Sequence, residues 1–213
     1  MISLACKGIL FDCDGALVDS DVSVLRSWRR WAVEFGFDPD EVTLLVHGRR
    51  SADTVAQLLP SSKRAHGVER IDRIELDDAA AVRAVSGAVR LVTSMPAGSW
   101  AVVTSGTYAL ATARLRAAGF AVPDVLVTAD DVARGKPDPE GYLAAAAQLG
   151  RTPHETIVLE DAQAGIEAAR AAGVSAVVGV GRNNLRADLV VPDLTGVHWT
   201  DDGLVVDGHR ATS

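Results

Sequence analysis

The sequence predicts an α/β fold in which helices cover an open parallel sheet and a separate all-helical unit is inserted near the amino end. Short β-branched runs alternate with alanine-rich stretches, a pattern typical of parallel strands joined through helices. Three alanine-rich stretches end at Gly119, Gly150 and Gly173, where a helix C-cap favours a positive φ. The long stretch between the first strand and Trp100 shows helical periodicity and no convincing strand.

Composition limits the classes of function. The chain has 213 residues, 48% of them hydrophobic and 23% charged, a balance that supports a core without disulfides or a structural metal. The 21 Lys and Arg against 28 Asp and Glu give a net charge of -7, which leaves little basic surface for a general nucleic-acid binder. A membrane role is disfavoured too, because no apolar stretch approaches the ~20 residues that span a bilayer.

The amino end and the cysteines predict a compartment. The first apolar run is short and soon interrupted by acids, so we expect no signal peptide. Cys6 and Cys13 form no metal-binding or redox pattern with their neighbours, and we expect both to be reduced, small apolar residues. The prediction is a cytoplasmic protein.

The elements of the core follow in order from the same patterns. We predict strands at residues 8–11, 100–103, 125–127, 156–159, 174–178 and 188–191. Helices are predicted at residues 108–118, 140–149 and 162–172, with Pro139 and Asp161 at helix starts. From Thr195 the pattern is weak, and the apolar residues there indicate a small closing hairpin around Trp199, Leu204 and Val205.

The inserted region contains three groups of apolar residues at helical spacing, and we expect its tryptophans to form a core. The groups lie at residues 24–35, at residues 55–59, and at residues 71–89, which include Val82, Val85 and Val89. Pro60 ends the second helix. The predicted division is a helical cap domain at residues 20–91 and a core domain at residues 1–19 and 92–213.

Acidic residues follow two of the predicted strands. Asp12 and Asp14 come directly after the first strand, and Glu160 and Asp161 follow the strand at 156–159. Because the carboxyl ends of parallel strands meet at the ligand crevice, we expect these groups to converge, as a Mg²⁺ site requires. Solvated loop acids, or a helix cap at Asp161, are the alternative. Two adjacent carboxylates beside a buried strand are costly without a cation.

Two further segments predict an anion site. The strand at 100–103 ends in Thr104, Ser105, Gly106 and Thr107 before a helix, where hydroxyls and backbone N–H groups can bind an anion. A simple helix cap gives the same pattern. Lys136 lies in the segment Gly-Lys-Pro-Asp-Pro, whose prolines restrict the loop and can hold the ammonium near a phosphate.

These segments in this order strongly resemble the four signatures of the haloacid dehalogenase superfamily, over nearly the whole chain. The matching segments are Asp-x-Asp-Gly-x-Leu-Val-Asp-Ser at residues 12–20, Thr-Ser-Gly-Thr at 104–107, Gly-Lys-Pro-Asp-Pro at 135–139, and Leu-Glu-Asp at 159–161 with Gly165 and Ala-Ala-Gly at 171–173. The resemblance implies a Rossmann-like core and a small helical cap, as in sugar-phosphate, glycerol-phosphate and phosphoglycolate phosphatases and β-phosphoglucomutases. Dehalogenases proper lack the second aspartate, which Asp14 supplies.

The resemblance also implies roles for the matching residues. Asp12 would be the nucleophile that becomes an aspartyl phosphate, and Asp14 the general acid/base, whose backbone carbonyl would also bind Mg²⁺. Ser105 and the Gly106 N–H would hold the transferring phosphoryl group, and Lys136 would balance its charge and that of Asp12. The metal ligands would be Asp12, Asp14, Glu160 and Asp161. The departures Ala16 and Ala162 fall at positions that supply no chemistry in the family.

The cap is expected to choose the substrate. The stretch His47, Gly48, Arg49 and Arg50 resembles the cap loop of 2-deoxyglucose-6-phosphate and glycerol-3-phosphate phosphatases. Gly48 would be a turn residue, and the arginines would contact substrate hydroxyls; as an alternative, both arginines are surface charges.

Two departures speak against a mutase, the alternative function. Val24 stands where the mutase has a cap histidine, and Ser51 where it has an arginine for a second phosphate. The predicted function is therefore an enzyme, a Mg²⁺-dependent phosphoric monoester hydrolase acting on a small sugar or polyol phosphate. A β-phosphoglucomutase-like phosphosugar mutase is the alternative. Neither nucleic acid nor membrane is expected as a partner, and we expect a monomer or a weak homodimer.

Overall fold

The computed structural model describes residues 1–181 and 185–207, in which strands and helices alternate. The strands are β1 (Ile2–Ala5), β2 (Gly8–Phe11), β3 (Val18–Asp19), β4 (Arg83–Ala84), β5 (Trp100–Val103), β6 (Leu126–Val127), β7 (Thr156–Glu160), β8 (Ala176–Val180), β9 (Leu189–Val191), β10 (Val197–Thr200) and β11 (Gly203–Val206). The helices are α1 (Asp21–Phe35), α2 (Pro39–Thr43), α3 (Ser51–Leu58), α4 (Ser61–Asp77), α5 (Ala88–Ser94), α6 (Tyr108–Ala117), α7 (Glu140–Gln148) and α8 (Gln163–Ala172).

A six-stranded parallel sheet occupies the centre, in the order β6-β5-β2-β7-β8-β9. Strand β2 is buried along its whole length and pairs with β5 on one side and β7 on the other. The strand order therefore changes direction at β2, and open α/β sheets bind ligands beyond the carboxyl ends of the strands at such a point. The predicted α/β fold is confirmed.

The six predicted strands and three predicted helices of the core are present with small shifts of their ends. The strand expected at 174–178 begins later, at Ala176. Gly173 ends α8 with a φ of 79°, and the Val174 N–H then donates to the Ala169 carbonyl, so Val174 belongs to the helix cap.

Helices α1 to α4 bury a cluster of their own, which includes both tryptophans of α1. The Trp31 indole N–H donates to the Gly67 carbonyl of α4 at 2.9 Å, and its ring stacks on Phe35 at a centroid distance of 4.4 Å. The expectation that the tryptophans are core residues is confirmed.

The helical continuation predicted around Val82 and Val85 is wrong. After α4 the chain makes a short 3₁₀ turn (Ala79–Ala81) and then forms β4, which pairs antiparallel with β3. Val82 packs into the cluster under the central sheet, as do Ala88 and Leu91 of α5. Val82 and Val85 lie on either side of β4, so two apolar residues three positions apart do not by themselves establish a helix, and packing against the cluster under the sheet decides the structure. The domain limits 20–91, 1–19 and 92–213 stay a prediction.

A second, antiparallel sheet joins the two ends of the described chain in the order β1-β11-β10. The hairpin expected around Trp199 and Leu204 is present as β10 and β11, whereas the sequence analysis missed β1. Residues 208–213, the end of the predicted core segment, lie outside the described residues. Within the described residues, no helix combines the length and the apolar character needed to cross a bilayer.

Candidate active site

The loop after β2 is a tight turn that presents two carboxylates. The Asp12 N–H donates to the Leu159 carbonyl at 2.9 Å, which continues the pairing of β2 with β7 beyond the last residue of β2. Gly15 has a φ of 86°, and its N–H donates to the Val18 carbonyl at 2.7 Å. A Cβ on Gly15 would lie 2.2 Å from Oδ2 of Asp161, so only glycine lets the two acidic loops approach this closely.

Asp12, Glu160 and Asp161 form a buried acidic cluster. One carboxylate oxygen of each lies within 4.8 Å of the others, and none of the three residues is more than 7% exposed. The Lys136 ammonium donates to Asp12 and, at 2.7 Å, to Oε1 of Glu160. Three acidic groups therefore face one cation, and hard oxygen ligands in this excess fit a divalent cation such as Mg²⁺.

Burial and charge act in opposite directions on this cluster. Burial raises the pKa of Asp12 to about 8, and the Lys136 ammonium opposes that rise. Burial disfavours the charged form of Lys136, but the Asp12 and Glu160 carboxylates outweigh it and hold its pKa well above the usual value. Lys136 is therefore a fixed cation at neutral pH.

Glu160 is fixed on all sides. Its Oε1 accepts from Lys136 and from the Tyr142 hydroxyl at 3.2 Å, and its Oε2 accepts the Ala162 N–H at 2.7 Å. The helix α8 leaves room for it, since a Cβ on Gly165 would lie 1.5 Å from Oε1. Gly165 thus provides the space that the carboxylate fills.

We expect Gly165→Ala to lower the melting temperature, although Gly to Ala in a helix interior ordinarily stabilises by roughly 0.5–1 kcal/mol. The added methyl would push Glu160 away from Lys136, which leaves a buried charge badly paired. Thermal unfolding checks this, with Glu167→Ala on the exposed face of α8 as the control that should change little. A stabilised Gly165→Ala would contradict the argument.

The turn after β5 holds the predicted anion-binding groups, and both have protein partners. The Ser105 hydroxyl donates to the Gly48 carbonyl of the cap loop at 3.1 Å. The Gly106 N–H donates to the Thr104 hydroxyl at 3.0 Å. Thr107 caps α6 through the Leu110 N–H, so the alternative of a helix cap is correct for this residue.

The cap loop lies directly on the core. Gly48 has a φ of 70°, and a Cβ there would lie 2.6 Å from that of Ala162. Arg50 pairs with Asp53 at 2.8 Å and donates to the carbonyls of Val132 and Ala133, so its guanidinium fastens the cap loop to the core. A Cβ on Gly135 would lie 2.6 Å from Nε of Arg50, so the glycine makes room for this contact.

A cleft lies between cap and core and is partly open to solvent. The structure brings most predicted site residues to its lining, which includes Asp12, Asp14, His47, Gly48, Arg49, Ser105, Gly106 and Asp161. Arg50 does not line this cleft, and Lys136 and Glu160 lie behind Asp12.

Sequence reasoning missed two buried charged residues of the cleft, Arg114 and Glu75. Arg114 of α6 is 2% exposed; its Nη1 lies 3.0 Å from Oδ1 of Asp14 and its Nη2 lies 3.2 Å from Oε1 of Glu75. Burial raises the pKa of Glu75 to about 7, against the opposing charge of Arg114. The available signal was that Arg114 falls beside Leu110, Ala111 and Leu115 on the buried face of a predicted helix.

Comparison with known proteins agrees with this arrangement. The family model of haloacid dehalogenase-like hydrolases matches residues 6–173. The chain is 39% identical to hexitol phosphatase A of Escherichia coli, over 80% of this chain and 81% of that protein. It is 36% identical to validoxylamine A 7'-phosphate phosphatase of Streptomyces hygroscopicus, over 92% of this chain and 98% of that protein.

Solved structures show the same fold. A hydrolase from Pseudomonas syringae superimposes with a TM-score of 0.79 at 24% identity, over 88% of this chain and 94% of the other. β-Phosphoglucomutase from Clostridium difficile superimposes with a TM-score of 0.78 at 21% identity, over 89% and 92%. The architecture is therefore shared by hydrolases and mutases. The sequence match, which extends through the acidic loops and Lys136, identifies the chain as a member of the haloacid dehalogenase-like hydrolase family.

Proposed function

We propose that this chain is a Mg²⁺-dependent phosphatase that releases phosphate from a small sugar or polyol phosphate through an aspartyl phosphate on Asp12. The observation that carries the proposal is the pairing of Asp12 with a buried lysine, at the base of a cleft that the cap partly covers. The relatives named for hexitol and validoxylamine phosphates support the substrate class.

Asp12 is the nucleophile in this proposal. A carboxylate attacks a phosphate dianion poorly unless nearby cations offset the repulsion between them. Lys136 supplies one such charge, and its position is fixed by Asp12, Glu160 and the Val103 carbonyl. Charge spread over the phosphoryl oxygens in the transition state would be met by these fixed groups without reorganisation.

Asp14 is the general acid/base. It lies two residues from Asp12 in the same turn and lines the cleft, so its carboxyl can reach the leaving oxygen of a bound ester. It would donate a proton to the alcohol and then accept one from the water that attacks the phosphoenzyme. Ser105 and the Gly106 N–H, which now bond to Gly48 and Thr104, would turn to the phosphoryl oxygens when substrate binds.

Asp12, Glu160, Asp161 and the Asp14 backbone carbonyl would hold the metal. The acidic cluster fits a divalent cation by charge and by ligand type. When bound, Mg²⁺ supplies positive charge that lowers the repulsion between carboxylate and phosphate.

The phosphatase is favoured over the mutase by two residues of the cleft. Val24 lines the cleft and offers no proton donor or acceptor. Ser51, where a mutase has an arginine, donates to Oδ1 of Asp72 at 2.7 Å, so an anionic partner already occupies its hydroxyl. A second phosphate beside Ser51 would therefore meet the Asp72 carboxyl group and no arginine at this position.

The cap loop would read the alcohol portion of the substrate. Arg49 is exposed and lines the cleft, whereas Arg50 is committed to Asp53 and the core. We expect Arg49→Ala to change kcat/KM by about tenfold among sugar and polyol phosphates, which corresponds to about 1.4 kcal/mol, and to change p-nitrophenyl phosphate little. Lys63→Ala on the exposed face of α4 is the control. An equal loss of kcat/KM on every ester would show that Arg49 does not recognise the alcohol portion of the substrate.

The experiment that tests the function is phosphate release from a panel of phosphorylated sugars and polyols with Mg²⁺, run beside glucose-1-phosphate isomers for mutase activity. Phosphate release with no isomerisation is the expected result, and isomerisation without release would establish the mutase. We further propose that the enzyme is cytoplasmic, which agrees with its two free cysteines, and that it is a monomer or a weak homodimer.

A further inference from the structure

Arg114 links three separate parts of the chain inside the cleft. It belongs to α6 of the core, its Nη1 donates to Asp14 in the loop after β2, and its Nη2 donates to Glu75 in α4 of the cap. Both Arg114 and Glu75 are buried, at 2% and 7% exposed. All three line the cleft, and Asp14 is the most exposed of them, with 27% of its side chain accessible.

The geometry of arginine makes this link directional. A guanidinium is planar and presents its N–H groups in a rigid fork, so the positions of its two terminal nitrogens cannot be set independently. Its Nε has no hydrogen-bond partner among the described residues, which leaves the two carboxylates as the groups that orient it. A shift of Glu75 therefore moves the nitrogen that holds Asp14.

We infer that Glu75 and Arg114 are positioning residues: the cap carboxylate holds the guanidinium, and the guanidinium holds the Asp14 carboxyl toward the leaving oxygen. This inference rests on the proposed function, in which Asp14 is the general acid/base. Helix α4 packs against α6, so the link is complete only when the cap is seated on the core. A substrate that allows the cap to pack against the core therefore also reacts with a correctly oriented Asp14 carboxyl.

Glu75→Gln keeps the size of the side chain and removes its charge, so it tests the link without opening a cavity. Assays at pH 8 keep the wild-type carboxyl largely ionised, since its pKa is about 7. We expect the rate of alcohol release in the first turnover, measured by rapid quench, to fall roughly 10- to 100-fold for an alkyl ester such as glycerol phosphate, part of the 10²–10⁴ that general acid/base catalysis supplies. The fall in first-turnover release of p-nitrophenolate should be at least about tenfold smaller, because that leaving group needs less protonation. Hydrolysis of the phosphoenzyme also needs the Asp14 carboxyl, but it is common to both esters and comes after the step that is measured.

Two controls separate positioning from general damage. Glu69→Gln lies on the exposed face of the same helix and should leave both esters unchanged. Arg114→Lys keeps the charge but replaces the rigid planar fork with one ammonium on a flexible stem, so it no longer fixes the two carboxylates relative to each other. It should show the same selective loss of first-turnover rate on the alkyl ester, with a change in KM below about threefold. The double variant should lose no more than the worse single variant, because both act through one link.

Three outcomes would overturn the inference. These are equal losses of first-turnover alcohol release on both esters, losses that multiply in the double variant, and wild-type behaviour of Arg114→Lys. An inactive wild-type protein on every ester would instead contradict the proposed function.

Discussion

Asp12→Asn should release no phosphate and form no phosphoenzyme, whereas Asp14→Asn should accumulate a phosphate adduct on Asp12. The amide that Asp12→Asn introduces is not a competent nucleophile. The Asp14→Asn variant keeps the size of the side chain and its backbone carbonyl. It loses the carboxyl group that protonates the alcohol and activates water, a role worth about 10²–10⁴ in rate. With p-nitrophenyl phosphate the first chemical step needs little protonation, so the phosphoenzyme forms and then persists.

Intact-mass spectrometry after a rapid quench distinguishes these variants, since a phosphate adduct is expected in Asp14→Asn and none in Asp12→Asn. Asp201→Asn, in the exposed turn between β10 and β11, is the matched control and should turn over normally. If both cleft variants hydrolyse the ester at the wild-type rate, the loop after β2 is not the catalytic loop.

Chelation of divalent metal should abolish phosphate release, and added Mg²⁺ should restore it. Without the metal ion, Lys136 is the cation that offsets the buried acidic cluster of Asp12, Glu160 and Asp161 at the base of the cleft. Ca²⁺ should substitute poorly, because its longer bonds and looser coordination displace the nucleophile. Full activity in excess chelator would show that the reaction does not need a divalent metal.

Metal binding can also be measured without turnover. A ligand that binds only the folded state stabilises it by about 2.7 kcal/mol at one hundred times its Kd. Mg²⁺ should therefore raise the melting temperature of the wild-type protein and of Asp201→Asn, but raise that of Asp161→Asn much less. An equal shift in all three would place the binding elsewhere.

Much of the fold could be predicted from the sequence because its signals are local. Each glycine that ends a core helix, such as Gly119 or Gly173, has the positive φ expected of it, and the buried strand β2 is an uninterrupted apolar run. Strand β1 escaped prediction since it has four residues that alternate between half-buried and exposed, and such a strand is defined by its partner β11.

The candidate site, like the fold, could be predicted only in part from the sequence. Asp12 and Asp14 lie at the end of one strand, so their proximity to Asp161 follows from sheet topology. Which of two adjacent arginines enters the cleft does not follow, because Arg49 and Arg50 lie outside regular structure and point where tertiary contacts hold them. The salt bridge between Glu75 and Arg114 joins the cap to the core, and no local sequence pattern predicts it.

The pairing of β1 with β11 determines when the antiparallel sheet can form during synthesis of the chain. Ile2 to Ala5 are synthesised long before Gly203 to Val206, the residues with which they pair. Contacts between residues so distant in the sequence form late, because a long loop must close before they are made. Until β11 has been made, β1 remains an unpaired strand edge, the kind of surface that templates aggregation. The antiparallel sheet that contains β1 is therefore completed only after β11 has been synthesised.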